Sequence, residues 1–153
     1  MQVSPFLPGS PAEPIRRKFS PRSLLPLAQS SLWKIEVGAV RTMTWLEDGT
    51  AITLGMWGSG DVVGKSLSTI DPYQVECLTQ VEATNFPVRD WQNREAALFA
   101  SVQQVEELLV IRSYKRTDEM LIKLLSWLAK RFGRSAAKGQ LIDLRLTHQD
   151  LSE

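Results

Sequence analysis

Apolar and polar positions alternate over short segments between residues 32 and 87, which is typical of β-strands with one buried face. The segments 32–37, 40–45 and 51–57 each alternate, and further short apolar segments follow at 62–64 and 73–86. Asp48-Gly49 is a strong hairpin signal between the second and third segments. Short strands separated by turns at this spacing predict a sandwich or barrel.

Beyond the β region the apolar period becomes helical. A 4-3-4 spacing predicts one helix of about 23 residues, starting after a candidate N-cap at Asp90. The apolar stripe on this helix consists of Leu98, Val102, Val105 and Leu109. Since so long a helix is not needed as a connector, the stripe favours pairing with a second copy of the chain. Packing of the stripe against the chain's own β region is the alternative.

A polar break separates this helix from a second one. The break consists of Ser113, Tyr114, Lys115 and Arg116. Thr117 is a good cap for the second helix, which Gly133 would end. After Gly139 the segment 141–146 alternates like a strand, and Thr147-His148-Gln149-Asp150 resembles the capping box that begins a further helix.

Composition and charge refine this picture. The apolar share of 43% and the charged share of 23% are those of a globular protein. Residues 1–31 contain six of the eight prolines, which predicts an extended or poorly ordered leader. The formal net charge of +1 conceals an excess of acidic residues over 32–87 and an excess of basic residues over 94–138. The net charge alone does not indicate a nucleic-acid binder.

The chain has one cysteine, Cys77, and one histidine, His148. These are too few ligands for a Cys/His zinc site, a thiolate-held iron–sulfur cluster or a multi-histidine metal site. An enzyme is therefore not expected. No segment reaches the roughly 20 apolar residues of a membrane span, and the N-terminus lacks the apolar region of a signal peptide. We therefore expect a cytoplasmic protein with no membrane partner.

Several segments together resemble the CRP/FNR superfamily of bacterial transcription regulators. Residues 32–41 resemble the strand, glycine turn and returning strand of that family, and Glu47-Asp48-Gly49-Thr50 resembles its hairpin. Residues 58–64 are similar to its glycine-rich turn, and 141–153 to the start of its DNA-binding motif. The sequence around Phe132-Gly133 and 142–149 resembles the cyanobacterial members in particular.

The resemblance implies an α+β fold, in which an N-terminal double-stranded β-helix (a jelly-roll-like β-roll) precedes a long dimerisation helix and the start of a winged helix-turn-helix. It divides the chain into four parts. These are a flexible leader (1–18), a cyclic-nucleotide-binding-like roll (19–90), the dimerisation helix with its hinge (91–116) and an incomplete winged helix-turn-helix (117–153).

The same resemblance assigns partners and candidate roles. It implies a homodimer that binds DNA in the complete protein, with the polar break Ser113–Arg116 as the hinge. Thr147, His148 and Gln149 are the candidate DNA contacts. Since base readout needs a recognition helix in the major groove, we expect no sequence-specific DNA binding by this truncated chain alone.

The candidate ligand pocket departs from the family pattern. Its residues by resemblance are Gly64, Lys65, Ser66, Leu67, Asp71 and Gln74. Lys65 stands where cyclic-nucleotide binders have a ribose-binding glutamate, and Asp71 stands where they have a phosphate-binding arginine. A carboxylate at that position would repel a cyclic phosphate. We therefore do not expect cyclic AMP. Haem and an iron–sulfur cluster are not expected either, because the chain has a single cysteine and a single histidine, which lies outside the roll. The expectation is an unknown small-molecule effector or none.

Other interpretations stay open at this point. The chain is alternatively a stand-alone β-roll module that binds a small molecule or docks a partner without DNA, or a jelly-roll enzyme of the cupin kind. The tryptophans favour core and interface packing over an aromatic cage for a cation. They are Trp33, Trp45, Trp57, Trp91 and Trp127.

Overall fold

The computed structural model describes residues 14–136 and 139–142, with side chains described over 14–132. Seven strands come first: β1 (Ile15–Phe19), β2 (Ser31–Val37), β3 (Val40–Trp45), β4 (Ala51–Trp57), β5 (Val62–Val63), β6 (Gln74–Cys77) and β7 (Val81–Pro87). Short 3-10 turns occupy Lys65–Leu67 and Val88–Asp90. Helices α1 (Arg94–Arg112) and α2 (Thr117–Phe132) and a hairpin of β8 (Gly133–Ala136) and β9 (Gly139–Ile142) follow.

The first seven strands form two antiparallel sheets. One has the order β1-β7-β2-β5 and the other the order β4-β3-β6. Alternate side chains of both sheets face each other and form a buried core that includes Trp33, Ile35, Val40, Val75 and Val81. The α+β class and the roll followed by helices are thereby confirmed.

The start of the roll differs from the predicted boundary. Strand β1 begins at Ile15 and pairs with β7 from Ile15–Asn85 to Phe19–Val81. Residues 15–18, assigned to the flexible leader, therefore belong to a sheet. No apolar alternation marks this strand, because β1 is an edge strand whose first four side chains are exposed, three of them basic. Residues 1–13 of the expected leader lie outside the described part of the chain.

The start of α1 also differs. Asp90 is not its N-cap, because Asp90 lies in a 3-10 turn and three more residues separate that turn from the helix. The cap residue is Asn93, in a left-handed conformation with φ 59°. Helix α1 therefore has 19 residues rather than about 23.

Helix α2 begins at Thr117, which is its first residue rather than its cap, and ends at Phe132, immediately before the predicted stop at Gly133. It packs with α1 on the roll in a second buried cluster. The members of this cluster are Ala39, Met56, Leu78, Leu108, Ile111, Leu124 and Leu128.

The segment 141–146 was predicted to be a single strand. In the structure its start belongs to the second arm of a hairpin, and this arm begins at Gly139. Residues 143–153 lie outside the described part. Among the described helices, none is long and apolar enough to cross a bilayer.

Candidate functional site

Four of the candidate pocket residues form one compact turn. Lys65–Leu67 is a 3-10 turn, and the Leu67 N–H donates to the Gly64 carbonyl oxygen at 3.1 Å. Gly64 is buried, and a Cβ there would lie 2.6 Å from Cδ2 of Leu32. The packing of β2 against the turn therefore requires glycine at this position. The side chains of Ser66 and Leu67 are exposed.

The other two candidates lie on the next segment of chain. Asp71 is exposed in the loop before β6, and Gln74 is half-buried and pairs with Met43 of β3. Tyr73, which no sequence pattern singled out, connects the two parts. Burial raises the pKa of Tyr73 to about 12, and its hydrogen bond to the backbone of Gly64 acts in the opposite direction. The structure thus brings the Gly64 backbone and the Tyr73 side chain together beside the roll core.

Aromatic side chains fill the roll interior near this turn. The indole Nε1–H of Trp33 donates to the Pro26 carbonyl oxygen at 2.6 Å, and Phe19 packs edge-on against Trp33 with ring centroids 5.3 Å apart. Trp57 donates through Nε1 to Oγ1 of Thr42 at 3.1 Å. These hydrogen bonds satisfy the polar ends of the buried Trp33 ring and the half-buried Trp57 ring. Trp33 is therefore a core packing residue, as expected, whereas Trp57 packs against the core and also lies near a cation of α2.

A cavity of about 830 Å³ lies between the outer face of β2 and β7 and the first half of α1. Its apolar lining includes Trp57, Phe86, Trp91 and Ala97. Its charged lining consists of Lys34, Glu36, Asp61 and Asp90. Leu67 of the candidate pocket and Leu98 of the apolar stripe also border this cavity, so it is the place where the turn after β5 faces α1.

Helix α1 presents two different faces. Its buried face consists of Gln104, Leu108 and Ile111, which pack toward the roll and α2. The predicted stripe of Leu98, Val102, Val105 and Leu109 is 51%, 57%, 56% and 65% exposed. The alternative that this stripe packs on the chain's own β region is therefore wrong. Within the described residues the stripe remains uncovered.

The predicted hinge connects α1 and α2. Ser113 caps α1, and its hydroxyl donates to the Leu109 carbonyl oxygen at 2.7 Å. All four residues of the break are exposed. Arg116 pairs with Asp118 in the first turn of α2, with an N–O distance of 2.9 Å.

The end of α2 makes a polar contact with the roll that was not predicted. Nη2 of Arg131 lies 2.7 Å from Oδ2 of Asp61 in the turn between β4 and β5. The guanidinium carbon lies 6.0 Å, 5.6 Å and 5.5 Å from the ring centroids of Trp57, Trp127 and Phe132. Because the two charged residues are 70 positions apart, no local sequence pattern indicates their contact.

Comparison with known proteins places this geometry in a family. No protein-family model matches the chain. The fold is similar to the CRP-family regulator TTHB099 of Thermus thermophilus, with a TM-score of 0.75, 19% identity and coverage of 89% of this chain and 74% of that one. It is also similar to FixK2 of Bradyrhizobium japonicum, with a TM-score of 0.72, 14% identity and coverage of 92% and 76%. The regulatory protein CysR of Synechococcus elongatus is 41% identical, over 99% of this chain and 74% of CysR.

The chain belongs to the CRP/FNR family of transcription regulators. The resemblance in the sequence, including its cyanobacterial character, is confirmed. These relatives are regulators rather than enzymes. Among the described residues of this CRP/FNR chain, no three His, Cys, Asp or Glu side chains are grouped so that they could hold a metal ion.

Proposed function

We propose that this CRP/FNR chain is the sensory and dimerisation part of a cytoplasmic DNA-binding regulator without enzymatic activity, in which two copies pair along α1. The observation that carries this proposal is the two-faced helix. One face of α1 is buried through Gln104, Leu108 and Ile111, while the opposite apolar stripe is more than half exposed. A second copy of the same helix would bury that stripe by a/d packing.

In this proposal the DNA-binding unit begins at α2, and the hinge Ser113–Arg116 sets its position relative to the roll. The candidate DNA contacts Thr147, His148 and Gln149 follow in sequence. An effector would act by shifting the balance between two arrangements of the dimer. The effector would be recognised by the turn Gly64–Leu67 together with Asp71 and Gln74, if the protein uses one.

The chemistry of that turn argues against cyclic AMP. The carboxylate of Asp71 and the ammonium of Lys65 reverse the charges that a cyclic nucleotide needs at these positions. Trp33, Trp57 and Tyr73 also occupy the space between the sheets. Haem and iron–sulfur effectors are disfavoured by the single cysteine and single histidine of the chain.

Light scattering at tens of micromolar tests the dimer. We expect the wild-type chain to have twice the mass of its monomer and Val105→Asp to be a monomer, because a carboxylate in an apolar seam lacks a partner. Gln103→Asp, at an exposed position outside the stripe, is the matched control and should remain dimeric. A monomeric wild type, or a dimeric Val105→Asp variant, would contradict pairing through the stripe.

A further inference from the structure

We infer that Asp61 and Arg131 form a releasable clamp (the 61–131 clamp) through which the roll holds the end of α2. One carboxylate oxygen of Asp61 accepts two hydrogen bonds, from Nη2 of Arg131 at 2.7 Å and from the Gly58 N–H at 2.8 Å. The second bond closes the turn 58–61. Because one oxygen serves both the turn and the helix, a change in the turn changes the hold on α2.

The same turn is fixed to the sheet. The Ile35 N–H donates to the Asp61 carbonyl oxygen at 2.9 Å, and the Gly60 N–H donates to the Ile35 carbonyl oxygen at 2.8 Å. Ile35 is fully buried in the roll core. A displacement of β2 would therefore reach the carboxylate of Asp61 through two short backbone hydrogen bonds.

Aromatic rings strengthen the clamp. The Arg131 guanidinium lies close to three rings, one from the roll (Trp57) and two from α2 (Trp127 and Phe132). Such rings attract a cation and keep water away from part of it. The Nε1–H of Trp57 also donates a hydrogen bond to Oγ1 of Thr42 inside the roll. The clamp thus has a second connection to the roll interior, independent of the turn.

The surroundings permit release. The side chains of Arg131 and Asp61 remain 28% and 23% exposed, so both charges can return to water at modest cost. A cavity of about 740 Å³ lies beside them, lined also by Gly58 and Phe132. Asp61 lines this cavity and also the cavity of about 830 Å³ between β2, β7 and α1. A change in the shape of either cavity would therefore reach the same carboxylate.

Release would move the segment that follows α2. Strand β8 starts at Gly133, immediately after the last residue of the helix. By holding the end of α2, the clamp therefore fixes the position of the β8–β9 hairpin relative to the roll. The role of this movement in signalling rests on the proposed function, whereas the clamp itself is a property of the folded chain and is tested without DNA.

Amide hydrogen exchange of the full chain tests the clamp, with Asp61→Asn, Arg131→Gln and the double variant. Asparagine retains an oxygen for the Gly58 N–H but loses the charge that holds Arg131. We expect amides of α2 to exchange about three- to tenfold faster in each single variant, with no further increase in the double variant. Amides of β2 and β7 should keep their wild-type rates.

Asp118→Asn is the matched control, because it removes the exposed Arg116–Asp118 pair at the other end of the same helix. It should leave exchange at 124–132 unchanged. Unchanged exchange of α2 in both single variants would overturn the clamp, and so would an equal increase over the whole roll. Additive effects in the double variant would also overturn it, since two partners of one contact cannot act independently.

Gly58→Ala tests the same contact without altering charge. A Cβ at this position would lie 2.9 Å from Cε1 of Phe132, so the methyl group pushes the end of α2 away from the turn. We expect faster exchange confined to α2, as in Arg131→Gln. Wild-type exchange of α2 in Gly58→Ala would show that the turn does not hold the helix.

Discussion

The side chain of Gln104 forms a hydrogen bond with the main chain of Met56. Oε1 of this buried glutamine accepts a hydrogen bond from the Met56 N–H at 2.8 Å, which joins the middle of α1 to β4. A Cβ on the neighbouring Gly55 would lie 2.9 Å from the same oxygen, so glycine makes room for the contact. Among the described residues Nε2 of Gln104 has no hydrogen-bond partner.

This contact predicts the exchange behaviour of one amide. In Gln104→Leu the Met56 N–H loses its acceptor, and we expect its hydrogen exchange to accelerate by about tenfold. Nuclear magnetic resonance of the exchanging protein measures this rate. Gln103→Leu, one position away on the exposed side of α1, is the control. An unchanged rate for Met56 in Gln104→Leu would mean that α1 does not protect this amide.

The glycine at the start of the candidate pocket turn predicts a steric cost. Gly64→Ala places a methyl group 2.6 Å from a carbon of fully buried Leu32, so we expect a loss of about 1–3 kcal/mol in the free energy of unfolding. Urea denaturation measures it. In the Leu32→Val background, which removes the opposing carbon, the same substitution should cost less. Equal costs in the two backgrounds would exclude the clash as the cause.

Tyr73 predicts a dependence of stability on alkaline pH. Its pKa in the folded protein is raised to about 12, above the ordinary value of 10.0. Its phenol therefore stabilises the fold fully below pH 10, and this contribution is lost as the pH rises toward 12. At pH 11 the loss should be on the order of 1 kcal/mol.

Comparison with Tyr73→Phe isolates that contribution, because lysine and arginine titration affects both proteins alike. We expect the unfolding free energy of the wild type, minus that of Tyr73→Phe, to decrease between pH 9 and pH 11. A constant difference across that range would contradict the burial of a neutral phenol at this site.

The packed roll interior predicts the response to ligands. Cyclic AMP should leave the thermal unfolding midpoint of the chain unchanged at millimolar concentration, because binding to the folded state alone would raise it. The same measurement of the thermal unfolding midpoint with a dicarboxylate such as 2-oxoglutarate is the second arm of the experiment. Stabilisation by cyclic AMP that disappears in Lys65→Ala would reverse our interpretation of the pocket.

Local patterns predicted the strands β2–β4 and helix α2 well, because each combines a clear period with a turn or cap. Strand β1 was missed, since its outward positions are basic and its pairing partner lies about 70 residues away. The buried face of α1 was also missed. Its central residue is the polar Gln104, so hydrophobic spacing identified only the exposed stripe. The 61–131 clamp depends on tertiary contact alone and has no sequence signature.

The pairing of β1 with β7 has a consequence for how the chain folds. The first and last strands of the roll lie side by side, so the sheet is completed only when Ile15 meets Asn85. Closing a loop of that length costs entropy before any contact rewards it. During synthesis β1 must wait for β7, which is made about 60–70 residues later, so this sheet is completed late in the assembly of the roll.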